Sequence, residues 1–264
     1  MTVAAVGFQC PECIRDGRKT VRQARTIAGA PVSADSPITR VLLGLNVGVF
    51  LLIFLGAGSG LVRRFGMDPR AIAIDGEYYR VLTAAFMHES MLHIAFNMYA
   101  LMMLGDQVER VLGRWRYIAL YLVSALGGSA VSYVFMNLRS PGSIGASGAI
   151  FGLFGALFVI QKRLRADTSS IMVVLLLNLF IGFVVPGIDW RAHVGGLITG
   201  ALITAGYVFV NRGARRAVLH AAIVIGVLIA CAAIVVVHTD QLRDGLRPAQ
   251  AVGTAGTSPG RPSQ

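Results

Sequence analysis

Apolar stretches of the chain alternate with short polar ones, at the period of membrane-spanning helices. Crossing a bilayer takes about 20 apolar residues per helix. Seven stretches approach or reach that length, at about 38–61, 90–109, 116–136, 147–161, 169–186, 192–211 and 217–237. The pattern predicts an all-α polytopic membrane protein. The fourth stretch, Ser147 to Gln161, is too short for a full span, so its first residues are expected below the outer membrane surface. A helix N-terminus at that depth has to open into a cavity or into protein. The first outer loop, about 62–88, is long and half apolar, and it carries Glu77-Tyr78-Tyr79-Arg80. It is expected to lie in the interface as an amphipathic element. No internal repeat is visible.

Composition supports this reading. The 264 residues are 55% hydrophobic and 14% charged, against about 25% charged in soluble domains. The net charge of +11 comes from 22 Arg and two Lys against 13 acidic residues. These cations fall in loops between apolar runs. They therefore speak for orientation in a membrane rather than for nucleic acid. With the N-terminus inside, 15 of the 24 basic residues lie in inner segments and nine in outer ones. This predicts an inner N-terminus and an outer C-terminus. The first 35 residues contain no apolar core of a secretory leader. The Arg, Ala and Gly bias fits a GC-rich bacterial genome.

Three stretches carry candidate chemistry. HESMLHIAFN, 88–97, resembles the zinc-protease pattern H-E-x-x-H, but its second His comes one residue late. Five residues along a helix separate His88 and His93 by roughly 140°, too far to share one ion from one face. His93 and Asn97, four apart, do share a face, His88 is expected at or before the helix start, and Glu89 is read as a surface carboxylate. In SIGASGAIFGLFGA, 143–156, Ser147 stands between small residues at a helix start. Free N–H groups and a positive dipole end suit a nucleophile that generates an oxyanion there. The same serine would also serve as a helix cap or a small residue at a helix crossing. In AHVGGLITGAL, 192–202, His193 starts the sixth helix. Gly196/Gly200 and Gly148/Gly152 each form a GxxxG face, which permits close helix approach. Packed on those faces, the two helices would bring Ser147 and His193 together as an activated pair.

The cysteines form no disulfide framework. Cys231 lies in an apolar run. Cys10 and Cys13 form C-P-E-C, half of a zinc ribbon, and no second pair follows in the polar segment. The pair is a remnant, or completes its site in a dimer, or follows a missing upstream half. VGFQCPEC reads as the end of a domain, so an upstream half is the expectation.

The three stretches together resemble the rhomboid family of intramembrane serine proteases. The likeness rests on H-x4-H-x3-N at His88, His93 and Asn97, on G-A-S-G at 145–148, and on A-H-x-x-G-x-x-x-G from Ala192 to Gly200, in family order and spacing. It covers about 38–211. It implies a rhomboid-like six-helix core with one further C-terminal helix at 212–240. The N-terminal segment 1–37 then holds the partial knuckle, and the Pro/Gly/Ser/Thr-rich tail 241–264 is expected to be disordered. VGFQCPEC is similar to the end of the cysteine-rich segment of some actinobacterial rhomboids.

By the resemblance, Ser147 is the nucleophile and His193 the base, a dyad without a carboxylate. Asp189, four residues before His193, is not expected to complete a triad. His93 and Asn97 with the Ser147 N–H make the oxyanion hole, and His88 shapes the cavity. Gly145 and Gly148 support the nucleophile. Phe151 stands where the family often has a Tyr against the base. Glu109, Arg110 and Gly113 are structural. No metal or cofactor is implied. The implied partners are membrane-protein substrates, single-pass or polytopic, and the lipid bilayer, with no nucleic acid. The implied place is the cell membrane. Rival readings are an inactive rhomboid-like binder of membrane clients, a small transporter and a zinc metalloprotease. Retention of both Ser147 and His193 speaks against the first, the lack of charge-lined repeats against the second, and the His spacing against the third.

Overall fold

The computed structural model describes residues 2–3, 7–20, 24–210, 213 and 215–246. It is built of helices apart from two paired two-residue strands, β1 (Thr2–Val3) and β2 (Phe8–Gln9). Helix α1 (Pro11–Thr20) follows. The bundle then begins with α2 (Pro37–Leu52), which continues through a wider turn at Ile53–Ala57. Three short helices fill the first loop: α3 (Gly58–Phe65), α4 (Pro69–Asp75) and α5 (Arg80–Thr83). The long helices are α6 (Met91–Leu112), α7 (Arg114–Val134), α8 (Ser147–Leu164), α9 (Ser169–Val184), α10 (Trp190–Phe209) and α11 (Arg216–Asp244).

Among the described residues, five helical segments are long and apolar enough to cross a membrane: Pro37–Gly56, α7, α8, α10 and α11. The other two expected spans fall short for identifiable reasons. Helix α9 has 16 residues. Helix α6 has 22, but it carries the polar side chains of His93, Asn97, Asp106, Glu109 and Arg110. Helix α11 runs to Asp244, so residues 241–244 are helical where a disordered tail was expected. Residues 247–264 lie outside the described residues.

Local sequence explains the boundaries. Ser90 accepts the His93 N–H and caps α6, while Asp189 accepts the Ala192 N–H and caps α10. Pro37 stands at the start of α2, where its missing N–H costs nothing. The buried Glu109 carboxylate accepts the Ile38 N–H at 3.0 Å, the Thr39 N–H at 2.7 Å and the Thr39 hydroxyl at 2.8 Å. An anion at the positive end of α2 ties α6 to that helix. This is the structural use expected for the Glu109 region.

Helices α7, α8 and α10 form the centre, and the fully buried Tyr117, Tyr121, Tyr133 and Tyr207 fill the space around them. The approach depends on glycine. A Cβ on Gly196 would overlap the Gly148 carbonyl, and one on Gly200 the Gly152 carbonyl. The two GxxxG faces therefore meet, as their spacing predicts. The first loop is a built element. Arg80 is buried, pairs with Glu77, and donates to the Arg63 carbonyl at 2.6 Å and the Gly66 carbonyl at 2.9 Å. Met67 N–H reaches the Ser143 carbonyl at 3.2 Å, joining this loop to the segment before Ser147.

Candidate active site

Helices α8 and α10 both begin at the end of the bundle that holds the first loop. Their glycine contact brings the first turns together. Ser147 Oγ lies 3.0 Å from His193 Nε2. That is hydrogen-bond distance for a nucleophile and its base. The His193 ring stacks on Phe151, one turn after Ser147, at 4.1 Å between centroids and 8° between planes. Across the ring, a Cβ built on Gly182 of α9 would lie 2.8 Å from Nδ1. The imidazole is held between Phe151 and Gly182 with little room to tilt.

His193 Nδ1 is buried and has no hydrogen-bond partner among the described residues. Asp189 is occupied elsewhere. It accepts a very short hydrogen bond from the Ser132 hydroxyl and caps α10. The pair at 147 and 193 therefore has no carboxylate behind it.

Gly145 has φ +121°, a conformation that few residues other than glycine adopt. Its N–H donates to the Ala84 carbonyl at 2.9 Å. A Cβ here would also meet His93 Nε2 at 2.6 Å, so the His93 ring lies directly on this segment. Asn97 is buried on the same face of α6 and donates one amide hydrogen to the His93 carbonyl at 2.8 Å. One amide hydrogen remains for another acceptor. A small cavity of about 10 Å³, room for roughly one water, is lined by Ser129, Ser143, Gly145, Ser147, Gly148 and others.

His88 stands before α6, not on it, so the helical angle between His88 and His93 does not apply. Their rings come to 5.0 Å between centroids. His88 is fully buried, and neither ring nitrogen reaches hydrogen-bonding geometry, although the Phe86 backbone lies near it. Burial, with repulsion from His93, lowers its pKa to about 4, so it stays neutral at ordinary pH. Glu89 is exposed, as expected for a surface carboxylate. Among the described residues, no three His, Cys, Asp or Glu side chains gather as metal ligands.

Cys10 and Cys13 lie at the start of α1 with sulfurs 2.8 Å apart. The two thiols are within hydrogen-bond distance of each other, and Cys10 Sγ accepts the Cys13 N–H at 3.2 Å. These bonds lower the Cys10 pKa, and the same partner raises that of Cys13.

The Rhomboid domain family matches residues 75–212, just over half of the chain and all three candidate stretches. The chain belongs to the rhomboid family. Rhomboid protease GluP of Bacillus subtilis is 34% identical over 223 residues, covering 80% of this chain and 43% of that protein. RHOMBOID-like protein 5 of Arabidopsis thaliana is 34% identical over 167 residues, 61% of this chain and 53% of that one. Rhomboid protease AarA of Providencia stuartii is 28% identical over 211 residues, 68% and 75%. The chain spans about half the length of the first two of these relatives. This rhomboid is thus a multi-pass membrane protein of a family that includes serine proteases.

Several groups that shape the site were not singled out from the sequence. Gly127 and Gly128 of α7 form a third close-approach surface. A Cβ on Gly128 would lie 2.7 Å from the Ala192 carbonyl and 3.2 Å from Gly148 Cα, beside both members of the pair. The run Ser124-Ala125-Leu126-Gly127-Gly128-Ser129-Ala130 carried that signal in its small residues. The Ala84 carbonyl, the Gly182 wall and the Ser132–Asp189 bond had none, because each depends on pairing of distant segments.

Proposed function

We propose that this rhomboid is an intramembrane serine endopeptidase that cuts peptide bonds in or near transmembrane segments of other membrane proteins. The observation that carries the reading is the 3.0 Å contact between Ser147 Oγ and His193 Nε2. His193 takes the serine proton through Nε2 as Oγ attacks the substrate carbonyl. The tetrahedral oxyanion is held by the Ser147 N–H, His93 and the second amide hydrogen of Asn97. Collapse expels the amine with the proton returned by His193, and water then hydrolyses the acyl-serine. Stacking on Phe151 and the Gly182 wall orients the base without a carboxylate. His88 supports the cavity as a neutral ring. Helical backbone hides its carbonyls, so helix-breaking residues in a substrate favour cleavage.

The basic-residue bias supports a reading with the N-terminal segment in the cytoplasm and the end of α11 outside a cell membrane. The site then opens to the outer side. The unit that cuts is the six-helix core, about 38–211, with α11 as an addition and the segment 1–37 before it.

The test is labelling of detergent-purified protein with a fluorophosphonate. Labelling of wild type, lost in both Ser147→Ala and His193→Ala, is expected. A folded wild type that takes no label would instead fit a rhomboid-like protein that binds membrane clients without cutting them.

A further inference from the structure

The end of the bundle opposite Ser147 gathers three cations that no carboxylate pairs with among the described residues. Helix α7 starts there at Arg114 and α11 at Arg216. A turn of the N-terminal segment, Ala24–Pro31, docks between them. Its Thr26 hydroxyl donates to the Val111 carbonyl at 2.6 Å, and Ala30 packs on Gly113. Three arginines meet at this junction. Arg25 donates to the Gly29 carbonyl at 2.9 Å. The Arg216 guanidinium lies on Gly29, where a Cβ would overlap it. Arg116 feels the charges of both Arg25 and Arg216.

Arg116 is held in place. Its Nε donates to His220 Nδ1 at 3.1 Å, and one terminal nitrogen donates to the Leu112 carbonyl at 3.1 Å. His220 is buried and bonds through Nε2 to the Val210 carbonyl at 2.8 Å, so Nε2 carries the hydrogen and Nδ1 is free to accept. Tyr207 packs against that ring at 5.0 Å. A buried imidazole thus fixes a guanidinium that stands within reach of the charges of the other two.

Other arginines of the chain have partners of another kind. The ion pairs among the described residues are Arg80–Glu77, Arg110–Asp106 and Arg243–Asp240. Arg163 lies over the Phe209 ring and Arg191 over Phe135 and Trp190. No carboxylate pairs with Arg25, Arg116 or Arg216 among the described residues. A counter-anion would relieve the mutual repulsion of three guanidinium groups. Phosphate matches the fork geometry of arginine. Trp115, 83% exposed beside Arg116, stands where an interfacial anchor would sit at headgroup level.

We propose that Arg25, Arg116 and Arg216 form a binding site for the phosphate of an anionic phospholipid headgroup, which fastens the N-terminal turn and α11 to the rhomboid core. The site is independent of Ser147 and of the protease reading.

The test is native mass spectrometry of the full chain in detergent, titrated with phosphatidylglycerol, with phosphatidylcholine and with inorganic phosphate. One phosphatidylglycerol is expected to bind wild type more tightly than phosphatidylcholine. Each guanidinium removed, in Arg216→Gln or Arg25→Gln, weakens it about fivefold, and the double variant about 25-fold. Both side chains are at the surface of the junction and neither bonds to His220, so the variants keep the fold. Their melting temperature without lipid checks this. Equal affinity of wild type and the double variant overturns the proposal. So does equal binding of the two lipids. Saturation by inorganic phosphate alone, with no preference for the lipid, assigns the arginines to a free anion and overturns the headgroup.

Discussion

Gly128→Ala tests whether the spacing of three helices, rather than the presence of Ser147 and His193, sets the reactivity of the pair. Gly128 of α7 touches the two helices that carry it, one residue away from each member. A methyl group there starts 2.7 Å from the Ala192 carbonyl oxygen and 3.2 Å from Gly148 Cα, whereas ordinary contact begins near 3.4 Å. Both neighbours are backbone, so no side chain can swing aside. About 0.7 Å of separation has to be found. If α8 and α10 part by that amount, the 3.0 Å bond between Ser147 and His193 stretches to about 3.7 Å, beyond the range in which a hydrogen bond survives. Overpacking of this kind costs about 1–3 kcal/mol of stability, and a misplacement near 1 Å costs roughly a hundredfold in rate. The assay is the rate of fluorophosphonate labelling, with the melting temperature measured beside it. Gly48→Ala is the control, because a Cβ at Gly48 meets nothing within 4 Å. It is expected to label like wild type. A folded Gly128→Ala protein that labels within about threefold of wild type would refute the geometric argument, since the pair would then tolerate a separation that breaks its hydrogen bond.

Three further outcomes are expected. Asp189→Asn keeps an acceptor for the Ala192 N–H and breaks no hydrogen bond to His193 Nδ1, so the labelling rate should stay within about fivefold of wild type; a loss near the ten-thousandfold typical of a broken triad would put a carboxylate back into the mechanism. His93→Ala and Asn97→Ala each remove one donor of the proposed oxyanion hole, and cleavage of a transmembrane substrate should fall about a hundredfold or more; an unchanged turnover in either variant would sink that role. Glu109→Ala leaves the Ile38 and Thr39 donors unpaired in the interior and should destabilise by about 2–3 kcal/mol, read as a lower melting temperature with the labelling rate of the folded fraction unchanged.

What the sequence made legible follows from the range of each interaction. Helix periodicity and the GxxxG faces are local, so they could be read before any packing was known. The faces of α8 and α10 also predict their partner, because two backbones that lack side chains at the same spacing fit each other better than either fits a Leu. That one inference joins Ser147 to His193, which lie 46 residues apart. The His88–His93 contact went the other way. An angle counted along a helix fails when the first residue stands outside it, and the expected place of His88 at or before the helix start already pointed that way. The first loop is the harder case. Its half-apolar composition suggests a surface element, but Arg80 turns inward to bond the Arg63 and Gly66 carbonyls, and Ala84 holds Gly145 in its left-handed turn. No period marks those contacts, because backbone carbonyls are the acceptors and every residue has one. The same loop is tied to α11, where Arg243 donates to the Ala73 carbonyl, and α11 is tied to α7, where Tyr133 and Thr239 share a 3.0 Å bond. A helix that hydropathy marks only as a membrane span is therefore fastened to the segment that sets the shape of the turn before Ser147.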